Sequence, residues 1–101
     1  MKIRIPKSFQ LFGQTITVEF VAHLTSENGT LGEARIGQNK IVIQSNVDGK
    51  KMSTEQSEWV FMHELTHMVL HHMGQEDLCE DEQFVDTFAK LLHQSFKTMT
   101  F

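Results

Sequence analysis

The chain has 101 residues, of which 40% are hydrophobic and 22% are charged, and its formal net charge is -4 at pH 7. This length fits one domain with one core, and the composition is typical of a globular protein rather than of a disordered segment. The acidic balance disfavours the broad basic surface that binds nucleic acid, and no apolar run approaches the ~20 residues of a membrane-spanning helix. We therefore expect a single domain over residues 1–101 that binds neither nucleic acid nor membrane.

The chain contains one cysteine, Cys79, which excludes an intramolecular disulfide bond. No charged and then apolar leader is recognisable at the N-terminus, so we expect a cytoplasmic protein, and we expect it to be a monomer. Cys79 is expected to be a buried or free thiol rather than a metal ligand, because cysteine-containing zinc sites usually hold a second cysteine.

The first part of the chain alternates between apolar and polar residues with period two, which is the pattern of half-buried strands. Residues 3–11 and 15–20 predict a first hairpin around a turn at residues 12–14, and Pro6 limits the first strand to an edge or a bend. The second strand is expected to bury Ile16, Val18 and Phe20.

A second hairpin is predicted from residues 31–36 and 40–44, the latter with the strongest strand composition in the chain. Residues 25–30 and 46–50 are rich in turn-forming types, so we expect loops there. Together the strands are expected within about residues 2–46.

After the strands the hydrophobic period changes to that of a helix. Ser53 followed by Gln56 is the arrangement of a capping box, and Gly74 supplies a C-terminal stop, so a helix is predicted over about residues 54–73. Its apolar residues cover more than a narrow stripe, and we expect the rest of the domain to enclose it.

A last helix is predicted over about residues 80–96, because the acidic residues Glu80, Asp81 and Glu82 suit the positive N-terminal end of a helix. Its expected buried side consists of Phe84, Val85, Phe88, Leu91, Leu92 and Phe96. A short antiparallel or mixed sheet packed on these two helices makes an α+β domain.

The central helix contains His63, Glu64 and His67 in the pattern H-E-x-x-H. Because residues four apart in a helix differ by one turn and about 40° of rotation, both imidazoles can bind one ion. Glu64 cannot easily share that ion but can reach a water bound to it, which is the place of a general base. A chain of this composition is expected to contain only about 0.03 such patterns by chance, so the pattern is informative.

A catalytic zinc ion usually has a third protein ligand and a water. Glu82 on the last helix is our candidate for that ligand, and Glu80 at the same helix end is the competing one. Asp86, one turn after Glu82, is placed to accept a hydrogen bond from the far nitrogen of a ligating histidine. The other histidines are expected outside the ligand set: His71 in a packing or supporting role, and His23, His72 and His93 at the surface or its boundary.

The segments HELTHMVLHH and EQFVDTFAKLL, within about residues 53–93, resemble the small gluzincin-type zinc metallopeptidases. They are most similar to the minimal domains related to ImmA/IrrE that occur in many phage and mobile-element proteins. The resemblance implies a zincin-like fold, Zn²⁺ as cofactor and Glu82 rather than Glu80 as third ligand. Asp86 matches the Asp or Asn that follows the glutamate ligand by four residues in that family. The resemblance also implies that residues 32–43 form paired strands, one of which lies beside the site and could bind an extended peptide as an added strand.

Two functions follow from these observations. The first is a zinc-dependent metallopeptidase that hydrolyses a peptide or protein substrate, with a zinc-activated water and Glu64 as general base. The alternative is a catalytically weak or inactive zinc-binding domain that regulates a partner such as a repressor. The small size, the acidic charge and the absence of tyrosine motivate this alternative.

Overall fold

The computed structural model describes residues 5–24 and 30–101, which form an α+β domain with a mixed sheet, a small hairpin and helices. None of the helices in these residues is long and apolar enough to cross a membrane. The strands are β1 (Ser8–Leu11), β2 (Gln14–Val21), β3 (Gly32–Arg35), β4 (Lys40–Gln44), β5 (Asn46–Val47) and β6 (Lys50–Lys51). The helices are α1 (Thr54–His72), α2 (Glu76–Glu80) and α3 (Glu82–Thr98).

The larger sheet has the strand order β1-β2-β4-β3 and contains both predicted hairpins. Phe12 and Gly13 turn the first hairpin with positive φ angles of 55° and 78°, as a tight two-residue turn requires. β3 and β4 are antiparallel, whereas β2 pairs with β4 in parallel, with Val18 opposite Ile41. β1 and β3 are therefore the edges of this sheet. The first predicted strand begins later than expected, at Ser8, and residues 1–4 lie outside the described residues.

The hydrophobic core lies between this sheet and α1. Ile16, Ile41 and Ile43 are fully buried, and α1 packs on them with side chains that include Val60 and Phe61. α1 also contacts α2 and α3, so it is enclosed as its apolar pattern predicts. The prediction for Phe20 was wrong, because this side chain is 48% exposed. The alternation shows which side chains share one face of a strand, but it does not show how much of that face the rest of the domain covers.

Both ends of α1 use the predicted capping residues. The Ser53 hydroxyl accepts a hydrogen bond from the Gln56 backbone amide at 3.1 Å. At the other end Gly74 has a φ of 74°, which a glycine adopts without strain. The amides of Gly74 and Gln75 donate back to the carbonyls of His71 and Leu70, both at 2.9 Å, so the terminal carbonyls are satisfied.

The start of the last helix and the segment 46–50 differ from their predictions. Glu80 belongs to the short helix α2, and α3 begins only at Glu82. Asp81 adopts an extended conformation and its side chain accepts a hydrogen bond from the Phe84 amide at 3.1 Å, so it caps α3 instead of lying within it. The expected loop at residues 46–50 forms the two-residue strands β5 and β6 around a turn with positive φ angles at Asp48 and Gly49.

The buried face of α3 differs from the predicted one in four residues. Phe88 and Leu91 are 46% and 62% exposed. In contrast, Ala89 is fully buried and His93, expected near the surface, is only 7% exposed. His93 Nε2 lies 3.4 Å from the Glu58 Oε1 of α1, and Glu58 is also buried. Each polar group offsets the desolvation cost of the other, so a pairing between helices decides the burial of His93.

β3 approaches α1 closely at Gly32. A Cβ atom at this position would lie 2.6 Å from Val60 Cγ1 and 3.1 Å from Glu64 Cγ. Real Cβ atoms do not approach other carbon atoms to 2.6 Å, so only glycine allows the strand and helix to pack at this distance. The close approach places the edge strand beside Glu64.

We predict that Gly32→Ala lowers the free energy of unfolding by about 1–3 kcal/mol, because the added methyl group overpacks the contact between β3 and α1. Urea denaturation of the purified protein measures this change. Gly37→Ala is the matched control, since a Cβ there meets no atom of the described residues within 4 Å. Equal stability of the Gly32→Ala variant and the unchanged protein would contradict the proposed close contact.

Candidate metal centre

Two helices bring the three predicted ligands together. His63 and His67 lie one turn apart on α1, with ring centroids 5.1 Å apart, and Glu82 lies at the start of α3. The Glu82 carboxylate faces both rings: one oxygen lies 3.4 Å from His63 Nε2 and the other 3.3 Å from His67 Nε2. One ligand atom of each residue lies within 4.8 Å of those of the other two. The competing candidate, Glu80, is exposed on α2 and is not part of this cluster.

The donor set of the cluster, two imidazole nitrogens and a carboxylate, is of the kind that binds a divalent ion. Zinc bonds of about 2.0–2.2 Å in a tetrahedron hold neighbouring ligand atoms about 3.3 Å apart. The two nitrogen to oxygen distances, 3.4 and 3.3 Å, are close to that spacing, although each involves a different oxygen of the Glu82 carboxylate. The imidazoles are mostly buried, whereas the Glu82 side chain is 69% exposed, so the cluster is open to solvent on one side. An ion held there would keep a position for water, as catalytic sites do.

Asp86 does not form the hydrogen bond expected of it. Its Oδ1 lies 3.8 Å from His63 Nδ1, which is too long for a hydrogen bond, and its Oδ2 lies 3.1 Å from the Lys90 ammonium group. His63 Nδ1 is buried and has no hydrogen-bond partner among the described residues. The ion pair with Lys90, one turn further along α3, holds the carboxylate on the helix surface.

Glu64 is buried next to the cluster without belonging to it, with 8% of its surface exposed. Burial raises its pKa from 4.5 to about 7, since the charged form loses its hydration, and repulsion by the Glu82 carboxylate adds to the effect. A hydrogen bond from the backbone of Ala34 on β3 acts in the opposite direction. A carboxyl group of this kind exchanges protons near neutral pH.

The surroundings of His67 favour its neutral form. Its pKa lies below the ordinary value because burial disfavours the imidazolium, and the proximity of His63 lowers it further. The Glu82 carboxylate opposes this effect. Since a metal ligand must offer a nitrogen lone pair, a neutral imidazole at neutral pH suits this role.

Two cavities lie on either side of Glu64. The first has a volume of about 230 Å³ and is bordered by apolar side chains that include Leu31 and Trp59. The second, of about 310 Å³, is bordered by Glu33 and Ile36. Glu64 borders both cavities, and His63 lies in the wall of the first and His67 in the wall of the second. A chain lying along β3 would therefore have space for side chains on both sides of the cluster.

Trp59 was not predicted as part of the site. Its ring meets the His63 ring edge-on, with centroids 5.8 Å apart. The Lys90 ammonium group lies 5.4 Å from the centroid of the Trp59 ring. Trp59 precedes His63 by four residues, so helical spacing places both on one face of α1. The sequence could therefore have indicated Trp59 by its spacing from His63. It could not have indicated Gly32, because the role of Gly32 depends on a contact between distant segments.

The remaining histidines lie outside the ligand cluster. His71 Nδ1 pairs with the Glu76 carboxylate at 2.8 Å, and the His72 ring stacks on Phe12 with centroids 6.0 Å apart. His23 is exposed. Cys79 is buried, as expected of a structural thiol, and is not a member of the cluster.

Comparison of this chain with protein-family models, with curated proteins and with solved structures finds no match. The architecture is that of a small α+β domain with a mixed sheet and helices. Within it, two imidazoles and one carboxylate converge beside a buried glutamate.

The raised pKa of Glu64 predicts a specific pH dependence in the metal-free protein. Its pKa is about 7 in the folded chain and near 4.5 when unfolded, so the folded state favours the protonated form. The stabilisation is complete below pH 4.5 and is lost as the pH rises to about 7. At about 1.4 kcal/mol per pKa unit, the loss amounts to roughly 3 kcal/mol.

Urea denaturation across this range, with chelator present, measures the effect, and Glu64→Gln is the control because its side chain does not titrate. The unfolding free energy of the unchanged protein should fall relative to that of the variant. Parallel curves for the two proteins would show that Glu64 has an ordinary pKa.

Proposed function

We propose that this domain is a zinc-dependent metallopeptidase with a zincin-like arrangement, of the gluzincin type that its H-E-x-x-H segment resembles. His63, His67 and Glu82 bind the ion, and Glu64 is the general base. The observation that carries this proposal is the convergence of the three ligand atoms within 4.8 Å, with the buried Glu64 carboxyl group on the same helix.

The proposed division of roles follows from the positions of the side chains. When bound, zinc would supply Lewis acidity that polarises a peptide carbonyl and acidifies a water molecule. Glu64 takes the proton from that water and delivers it to the nitrogen of the leaving amine. The backbone of Ala34 holds the Glu64 carboxylate from the side of β3, which orients it for both transfers.

The edge strand β3 supports a peptide as substrate. Because Gln44 of β4 donates to the carbonyl of Leu31, alternate residues of β3 direct their backbone groups away from the sheet, beginning with Gly32. The Ala34 amide already donates to Glu64, and an extended peptide can pair with the remaining outward groups as an added strand. The cavities on either side of Glu64 would then receive two of its side chains.

A second candidate is a zinc-binding domain that regulates a partner protein, such as a repressor, without cleaving it. One observation favours it: among the described residues that border the two cavities there is no tyrosine, lysine or arginine, and no histidine besides the two ligands. Such side chains commonly stabilise the oxyanion that forms during peptide hydrolysis. In this case Glu64 would be dispensable.

The metal site is tested by zinc content. We predict that His63→Ala and His67→Ala lose bound zinc, because two remaining ligands cannot hold the ion against dialysis. The proteins are stripped with chelator, reloaded with zinc, dialysed and measured by elemental analysis. His23→Ala, which removes an exposed histidine, should retain one zinc per chain. Full zinc occupancy in either ligand variant would rule out the proposed site.

Catalysis is tested separately with Glu64→Gln. We predict that this variant keeps its zinc but loses about 10²–10⁴-fold in the rate of peptide hydrolysis, because the amide cannot accept the proton. Zinc-loaded proteins are incubated with a diverse peptide pool, and the products are identified by mass spectrometry. Glu55→Gln, at an exposed position of the same helix, is the control. Equal cleavage by the Glu64→Gln variant would show that Glu64 is not the general base. Absence of cleavage by the unchanged protein would favour the regulatory alternative.

A further inference from the structure

The nitrogen through which His67 can bind a metal is the one that does not carry a proton. A neutral imidazole binds a metal through one nitrogen, and the other nitrogen then bears a proton that needs an acceptor. His67 Nε2 faces the Glu82 carboxylate at 3.3 Å and belongs to the candidate cluster. Its Nδ1 points the opposite way, where it lies 3.5 Å from the sulfur of Cys79.

The thiol of Cys79 makes two contacts with the same residue. Its Sγ lies 3.5 Å from His67 Nδ1 and also 3.5 Å from the backbone carbonyl oxygen of His67. The S–H group donates to that carbonyl, which leaves a sulfur lone pair to accept the proton of Nδ1. The Cys79 backbone makes a further hydrogen bond with the imidazole. Together these contacts favour hydrogen on Nδ1 and a free lone pair on Nε2, whereas without a metal the Glu82 carboxylate, 3.3 Å from Nε2, favours hydrogen on Nε2.

The short helix α2 holds the thiol in this place. Cys79 is 9% exposed and packs in a small cluster with Leu70 of α1 and Val85 of α3. Its backbone amide donates to the Gln75 carbonyl at 2.9 Å, which closes the turn of α2 behind His67. The other ligand differs, because His63 Nδ1 has no hydrogen-bond partner among the described residues.

We propose that Cys79 is a positioning residue for His67, whose thiol contributes to the tautomer and ring orientation that direct Nε2 to the metal. Cys79 does not itself bind the ion. This inference rests on the proposed zinc site, but it concerns a residue that the peptidase chemistry does not use. Carboxylates and carbonyls usually serve as the outer partner of a metal-binding histidine, and here a thiol shares that role.

The first test uses the metal-free protein, so it does not depend on zinc. Nitrogen-15 NMR of the imidazoles, at a pH well above the ordinary histidine pKa of about 6.5, reports the tautomer of His67. We make the comparison in a Glu82→Ala background, where no carboxylate competes for the proton of Nε2, and expect hydrogen on Nδ1 with Cys79 and with Cys79→Ser, whose hydroxyl can make the same contacts. Cys79→Ala should show a mixture of tautomers. An unchanged tautomer in Cys79→Ala would overturn the proposal.

The second test measures zinc affinity by competition with a chromophoric chelator. Cys79→Ala should bind zinc about tenfold more weakly than the unchanged protein, and Cys79→Ser should recover most of the difference. Leu78→Ala removes packing from the same cluster without touching His67, and it should keep its affinity. An equal loss in Leu78→Ala would show that packing, and not the thiol, supports the site.

Cobalt substitution separates positioning from ligation. If Cys79 bound the metal, the cobalt protein would show an intense thiolate-to-cobalt charge-transfer band in the near ultraviolet, and that band would overturn the proposal. We expect only the weaker visible bands of a site with nitrogen and oxygen ligands. If the unchanged protein binds neither metal, the proposed function fails, while the tautomer measurement still decides the role of Cys79.

Discussion

The packing of α3 against α1 is the contact on which the candidate site depends, because the third ligand lies on a different helix from the two histidines. Apolar residues along both helices bury this interface, and the paired Glu58 and His93 cross it at a buried position. The N-cap at Asp81 sets where α3 begins, so that Glu82 occupies its first turn. A shift of α3 along α1 by one turn would separate the carboxylate from both imidazoles.

The second constraint is the approach of the sheet to α1. With glycine at position 32, β3 comes close enough to cover Glu64 and to place a backbone amide against its carboxylate. The same contact therefore removes the carboxyl group from water and orients it. It also sets the free edge of β3 next to the ligand cluster, so that one packing arrangement serves the general base and the peptide-binding surface of the proposed enzyme.

The electrostatics of the candidate site combine neighbouring carboxylates with a histidine whose neutral form is favoured. Two carboxylates, Glu64 and Glu82, lie near each other, and their repulsion contributes to the raised pKa of Glu64. Burial favours the neutral form of His67, which leaves a nitrogen lone pair available. A divalent ion would reverse the repulsion, because its charge attracts both carboxylates and stabilises their ionised forms. In the proposed function, metal binding thus prepares Glu64 to act as a base.

The features that the sequence alone determined are local ones. The positions of His63 and His67 on one face of α1 follow from helical repeat, and the ends of that helix follow from Ser53 and Gly74, whose interactions span only a few residues. The tertiary structure decided the rest: the parallel pairing of β2 with β4, the exposure of Phe88, the burial of His93 and the placement of Cys79 behind His67. Periodicity cannot encode these features, because each depends on which distant segment supplies the neighbouring surface or hydrogen-bond partner.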